Sequence, residues 1–150
     1  MSVVLLLKVV HVLAAIVAVG ANLTYAFWLR RAGTDDRERL VFTIGSIRRL
    51  DNLIATPAYV VVLLTGLGMV FLGAFSFSDA WIQVAIALYV LVVILSIALY
   101  APALRRQLTE AEADPGSAAY GAAASRSNLL GIGVTAIVLV IVVLMVTKPF

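Results

Sequence analysis

The sequence contains no cysteine, only one histidine and few charged residues. The absence of cysteine excludes disulfides, thiolate metal sites and cysteine nucleophiles. Charged residues make up only 13% of the chain. The chain has no glycine-rich phosphate loop, no hydrolase motif and no cluster of metal-ligating residues. The sequence therefore contains no motif that indicates a soluble hydrolase, a nucleotide-binding protein or a metal-cluster protein.

Hydrophobic residues are abundant instead. They make up 63% of the chain, and the mean hydropathy is +1.10, whereas a soluble domain is roughly 45–50% apolar. We therefore predict a membrane protein, with one domain over residues 1–150. The net charge of +3 comes from arginines beside hydrophobic runs, where they set helix orientation, so we expect no nucleic-acid partner.

Four apolar segments are long enough to cross a bilayer core of about 30 Å at about 1.5 Å per residue. These segments cover roughly residues 3–29, 53–73, 80–104 and 128–147. Nine basic residues fall in the two long connections, 30–52 and 105–127, whereas the short link 74–79 has none. The positive-inside rule then predicts that both long connections are cytoplasmic and both termini are outside, in a bacterial inner membrane.

The two long connections differ in pattern. In residues 35–50, apolar Leu40, Val41, Ile44 and Ile47 recur at helical spacing among charges, which predicts a surface helix or an extension of the second span. The second connection, TEAEADPGSAAYGAAAS, is small, polar and rich in alanine and glycine. We predict that it is a mobile connection with at most one weak helical turn.

Small and polar residues recur every three or four positions in the spans, as is typical of faces that meet other helices in lipid. The third span offers polar Gln83, Tyr89, Ser96 and Tyr100. In the other three spans, these faces contain Lys8, His11, Ala15, Ala18, Asn22 and Tyr25; Asp51, Ala55, Ala58, Val62, Thr65 and Met69; and Asn128, Gly131, Thr135, Val138, Val142 and Met145. The pattern predicts an all-α polytopic membrane protein, a four-helix bundle surrounded by lipid.

The predicted topology places His11 in the outer half of the bundle, near the level of Met69 and Met145. A lone intramembrane histidine either ligates the iron of a porphyrin or is a neutral imidazole hydrogen-bonded to a neighbouring helix. A haem held by two histidines of one chain is excluded, which leaves a five-coordinate site or a pair of His11 with Met69 or Met145. The alternative for both methionines is simple packing.

Three basic residues are candidates for binding an anion. Lys8 lies one turn from His11, where it either pairs with a porphyrin propionate or extends to the outer headgroups. Arg48 and Arg49 either bind an anionic substrate group or mark the cytoplasmic face and contact lipid phosphate. We expect Asp51 to pair with one of these arginines or to cap the second helix.

Short segments resemble known families. The first span contains LKVVH, the second contains RRLDNLIATPA and then TGL, and the last ends in TKPF. In this order they resemble a bacterial family of four-span predicted integral membrane proteins and, more distantly, HemJ-type protoporphyrinogen oxidases and CopD-like membrane proteins. The HemJ resemblance implies haem b with His11 as iron ligand, and matches Arg48, Arg49, Thr56 and Pro57 to the second-helix motif. The third span lacks that family's basic residues, so we do not carry over the oxidation reaction.

Three functions are compatible with these features. The first is a membrane protein that binds haem or a porphyrin through His11. The second is a cofactor-free helical subunit that assembles as a homo-oligomer or with a larger membrane complex. The third is a small-solute carrier that uses the polar layer of the outer half. We favour the first because of the resemblance, and the sequence does not identify a catalytic residue.

Overall fold

The computed structural model describes residues 2–149, and within that range the chain forms four long helices and no strand. The helices are α1 (Val3–Ala32), α2 (Arg37–Phe71), α3 (Ala80–Ala113) and α4 (Ala118–Thr147). Each is long and apolar enough to cross a membrane. Large apolar side chains are exposed along all four, as expected for surfaces that face lipid. The predicted all-α membrane bundle is confirmed.

Polar residues at the ends fix where the helices begin. The side chains of Ser2, Asp36 and Ser117 each accept a hydrogen bond from the backbone amide three residues on, at 3.2, 3.0 and 3.1 Å. Such caps satisfy an amide that has no partner within its helix. After α1, Gly33 has a φ of +67°, a conformation that glycine adopts without strain. Local sequence therefore determines the starts of α1, α2 and α4.

The helices are longer than the spans predicted for the membrane. The extension of the second span is confirmed, since α2 begins at Arg37. The mobile connection predicted between the third and fourth spans is wrong: α3 continues to Ala113, α4 begins at Ala118, and only residues 114–117 link them. Alanine is the strongest helix former, and the DPGS link supplies both the break and the cap of α4.

The extended helix ends have an apolar core of their own. Leu40, Ile44 and Ile47 of α2 are buried against Leu104 of α3 and Tyr120 of α4. Beside this core, the buried hydroxyl of Ser127 donates to the Gln107 side chain, and the Arg37 guanidinium donates to the carbonyl of Glu112. The helices therefore remain packed against one another beyond the segments predicted to cross the membrane.

The four helices pack as two pairs. α1 lies along α2, α3 lies along α4, and α1 also contacts α4. α2 and α3 contact each other where residues 37–50 meet 101–113, but no Cα atoms of 56–71 and 80–95 come within 8 Å. The backbones of α2 and α3 therefore approach each other closely only at the end of the bundle with the two long connections.

Both α2 and α3 widen into a single π-helical turn at the same depth. These turns are Asp51–Ala55 and Ser96–Tyr100, and each comes just before a proline, Pro57 or Pro102. Proline cannot donate the helical hydrogen bond, and its ring clashes with the carbonyl four residues earlier. A wider turn relieves that clash without ending the helix. The prolines therefore explain why both helices are irregular at this level.

Seven arginines form a belt around the bundle. Contacts between Tyr25 and Asp51 and between Tyr100 and Gly131 mark one level shared by all four helices. Each arginine lies two to six residues beyond that level, within about 3–9 Å along the helix axis. The arginine belt consists of Arg30, Arg31, Arg48, Arg49, Arg105, Arg106 and Arg126. Both long connections thus lie at one end of the bundle.

The predicted inward faces are correct for α2 and, apart from Lys8, for α1. Ala18 and Ala55 are completely buried, whereas Lys8 is exposed. The face predicted for α4 is partly wrong because Asn128 and Val142 are exposed. Neighbouring positions on a helix point about 100° apart. Within residues 127–147 of α4, the buried residues are Val138, which lies on the predicted face, and Ser127 and Val134, each one position before a predicted residue.

Candidate functional site

The only histidine of the chain bridges α1 and α2. His11 projects from the inward face of α1, and its Nδ1 lies 3.0 Å from Oγ1 of Thr65 on α2. Thr65 is 7% exposed and His11 is half-buried. Thr65 of the neighbouring helix is therefore the hydrogen-bond partner that is expected for a histidine on an inward face.

The hydrogen bonds of Thr65 determine which imidazole nitrogen carries the proton. The Thr65 hydroxyl has one hydrogen, which it donates to the carbonyl of Val61 at 2.6 Å. Towards His11 the hydroxyl oxygen can therefore only accept, so Nδ1 of His11 carries the proton. The lone pair of the neutral ring is then on Nε2, and that nitrogen is free to bind a metal ion.

A glycine gives the imidazole its space. A Cβ atom added to Gly66 would lie 3.2 Å from Cε1 and 3.6 Å from Nδ1 of His11. Contacts as short as 3.2 Å force a neighbour to shift. Gly66 thus lets the ring lie close to the backbone of α2, beside the hydroxyl of Thr65. The pair Thr65-Gly66 fixes both the orientation and the tautomer of His11.

The two methionines predicted near His11 lie at about its depth. Met69 is four residues beyond Thr65 on the same face of α2 and is 6% exposed. Met145 is half-buried on α4. Val138 of α4 packs in one cluster with Val19 of α1, so these two residues lie at one depth. Met145 lies seven residues beyond Val138, and His11 lies eight residues from Val19 in the same direction. Both steps are about 10–12 Å along the axis.

Polar contacts also hold the rest of the α1–α2 interface. The Asn22 amide donates to the Tyr59 hydroxyl at 2.7 Å. The carbonyl of Tyr59 in turn accepts from the Tyr89 hydroxyl of α3 at 2.8 Å. Interhelical hydrogen bonds of this kind stabilise helix association in lipid. These hydrogen bonds align α1 with α2, so that His11 lies beside Thr65 nearer the other end of the two helices.

The predicted basic residues do not lie together. Lys8 is exposed on the surface of α1, near His11. Arg48 is half-buried and Arg49 is exposed in the arginine belt. Arg48 lies 17 residues before Thr65 in α2, which is about 25 Å along the helix. A single ligand at His11 therefore does not reach the two arginines.

The expected pairing of Asp51 is wrong. Across residues 2–149, the only carboxylate within 4.0 Å of an arginine belongs to the Arg106–Glu110 pair. Asp51 lies within the helix formed by α2, not at its start, so it caps no helix end. Its Oδ1 lies 3.5 Å from the hydroxyl of Tyr25 instead. The π-helical turn that begins at Asp51 directs its carboxylate towards α1.

The sequence alone predicts some residues of these sites but not the contacts that they make. Thr65 was assigned to the inward face of α2 without a partner, because pairing depends on the register between α1 and α2. Gly66 follows Thr65 directly, so a glycine next to an inward polar residue was the available signal. The sequence shows Arg105 only as one of the basic residues that indicate topology, whereas in the structure it lines one cleft together with Arg48.

A model of a protein family described as predicted integral membrane protein (DUF2269) matches residues 5–149 of the chain. The match covers all four helices. Searches of curated proteins and of solved structures gave no match.

Proposed function

The chain belongs to this family of predicted integral membrane proteins, and we propose that it binds haem b or a related porphyrin in the outer half of its bundle, with His11 as the iron ligand. The observation that carries the proposal is the hydrogen bond from Nδ1 of His11 to Thr65. Histidines that ligate metals usually donate their other ring N–H to a fixed acceptor, which sets the tautomer and the ring orientation.

The side chains near His11 fit the ligand types of an iron porphyrin. Nε2 of His11 would supply the lone pair of one ligand, and Met69 or Met145, at about the same depth, would supply a thioether as a second. Lys8 is close enough along α1 to pair its ammonium group with a porphyrin carboxylate near the outer surface. The iron, when bound, would supply redox chemistry or the binding of a small gas molecule.

A spectroscopic titration tests the proposal. Protein purified in a mild detergent is titrated with haem, and its visible spectrum is recorded in the oxidised and reduced states. We expect a Soret band that saturates at one haem per chain. Carbon monoxide then separates the ligand sets, because it binds readily to a five-coordinate iron and poorly to a His/Met pair. A spectrum that remains that of free haem contradicts the proposal and favours the cofactor-free subunit.

Removing the acceptor of Nδ1 should weaken haem binding without abolishing it. In Thr65→Val the side-chain shape is kept but the imidazole loses the group that fixes its tautomer. Loss of such a partner typically lowers metal affinity roughly 10- to 100-fold, and haem titration measures this change. Thr135→Val is the matched control, because the Thr135 hydroxyl donates only to Gly131 of its own helix, at 2.8 Å. Equal affinities for both variants would contradict a role for Thr65.

A further inference from the structure

A second polar site lies at the other end of the bundle, between α2 and α3. A small cleft of about 30 Å³ opens between α2 and α3 beside the two π-helical turns. Arg48 and Asn52 of α2 line it on one side, and Tyr100 and Arg105 of α3 line it on the other. The cleft therefore joins two cations from different helices, which the sequence alone does not bring together.

The two arginines of the cleft have no carboxylate partner. Across residues 2–149, neither Arg48 nor Arg105 lies within 4.0 Å of an acidic side chain. Asp51 also lines the cleft, but its Oδ1 is near the hydroxyl of Tyr25. Guanidinium groups suit phosphate oxygens, which they bind through two parallel hydrogen bonds. The cleft therefore has a net charge of +1 and free donors on both sides.

The level of the cleft indicates the source of the anion. Arg48 and Arg105 belong to the arginine belt, which borders the apolar spans of all four helices and so lies at the depth of the headgroup phosphates. Basic pockets between helices on the cytoplasmic side are typical binding sites for anionic lipids. A cleft of about 30 Å³ exceeds the roughly 10–15 Å³ that a water-sized group needs, so it has room for a phosphate oxygen.

We propose that this cleft binds the phosphate of an anionic phospholipid, with Arg48 and Arg105 holding it from two helices. The bound lipid joins α2 to α3 at the level where both helices are irregular. Asn52 supplies a neutral amide donor beside the two cations. The site is about 25 Å from His11, so it is independent of the haem proposal, and either proposal can fail alone.

Native mass spectrometry in detergent tests the proposal with phosphatidylglycerol against phosphatidylcholine at equal concentrations. We expect phosphatidylglycerol to bind more tightly, and Arg48→Gln and Arg105→Gln each to lower its affinity roughly tenfold or more, because each variant loses a hydrogen bond between oppositely charged groups. Arg49→Gln removes the same charge from the next residue of α2, which is exposed and outside the cleft. It should therefore change the affinity by less than about twofold. Asp51→Asn removes the only carboxylate that lines the cleft and should raise the affinity.

Three outcomes would overturn the proposal. The first is an equal loss in Arg49→Gln and Arg48→Gln, which would show a general effect of surface charge. The second is unchanged binding in Arg48→Gln and Arg105→Gln, with helical content by circular dichroism like that of the unmodified protein. The third is displacement of phosphatidylglycerol by millimolar inorganic phosphate, which would assign the cleft to free phosphate.

Discussion

His11→Ala is expected to abolish haem retention, so that the Soret band of the purified protein disappears. The reason is that His11 is the only histidine of the chain, and a thioether alone is a weak ligand for ferric iron. We expect the variant to keep the fold, because the hydrogen bonds of Tyr59 with Asn22 of α1 and Tyr89 of α3 remain. Visible spectra of both proteins, purified with the same amount of haem, measure the effect. Free imidazole added to the variant should restore part of the band.

Asn22→Ala is the matched control for this variant. Asn22 lies on the same face of α1 and, like His11, forms a side-chain hydrogen bond to α2, here to Tyr59 at 2.7 Å. Its loss should weaken helix packing by a similar amount without touching the proposed iron ligand. We expect Asn22→Ala to retain the Soret band. A band of unchanged position and intensity in His11→Ala would refute the role of the histidine as ligand.

The second large effect is expected from Ile44→Asp in the apolar core of the extended helix ends. Ile44 is 0% exposed and packs within the core that contains Leu40, Leu104 and Tyr120. A carboxylate at this position would be desolvated and would have no buried cation as a partner. Changes of this kind lower the free energy of unfolding by on the order of 4 kcal/mol or more. The midpoint of thermal unfolding in detergent should therefore fall by at least about 10 °C.

Phe42→Asp provides the comparison for Ile44→Asp. Phe42 lies two residues away on the same helix and is 75% exposed. The same new charge there remains in solvent, and the unfolding midpoint should change by no more than a degree or two. Protease digestion adds a second measurement. In Ile44→Asp, residues 37–50 of α2 should separate from the bundle and become accessible to cleavage, whereas in Phe42→Asp they should stay protected. Equal destabilisation of both variants would show that the helix ends are not packed as described.

The sequence was sufficient to predict the four helices and most of the buried faces of α1 and α2. Small residues such as Ala18 and Ala55 are where helices approach closely, and both are completely buried. Thr65 and His11 each fell on the correct face because helical periodicity is a local property. The positions of these residues along separate helices could therefore be predicted independently of the tertiary structure.

Other features depend on properties that a hydropathy pattern does not contain. The connection 109–125 is predicted to be mobile because alanine and glycine are only weakly apolar, although alanine favours helix strongly and residues 118–125 belong to α4. The contact of His11 with Thr65 and the approach of Arg48 to Arg105 depend on the register between helices. The π-helical turns coincide with Pro57 and Pro102, so two prolines at matching depth were the available signal.

The topology of the arginine belt is the central claim, and cysteine labelling tests it most directly because the chain has no cysteine of its own. Single cysteines replace three exposed residues, Thr34, Ser78 and Ala113, and a membrane-impermeant maleimide is applied to spheroplasts that expose the outer face of the inner membrane. We predict that Ser78→Cys is labelled at once, whereas Thr34→Cys and Ala113→Cys react only after the membrane is permeabilised. Labelling of Thr34→Cys and Ala113→Cys from opposite sides would contradict the four-helix arrangement.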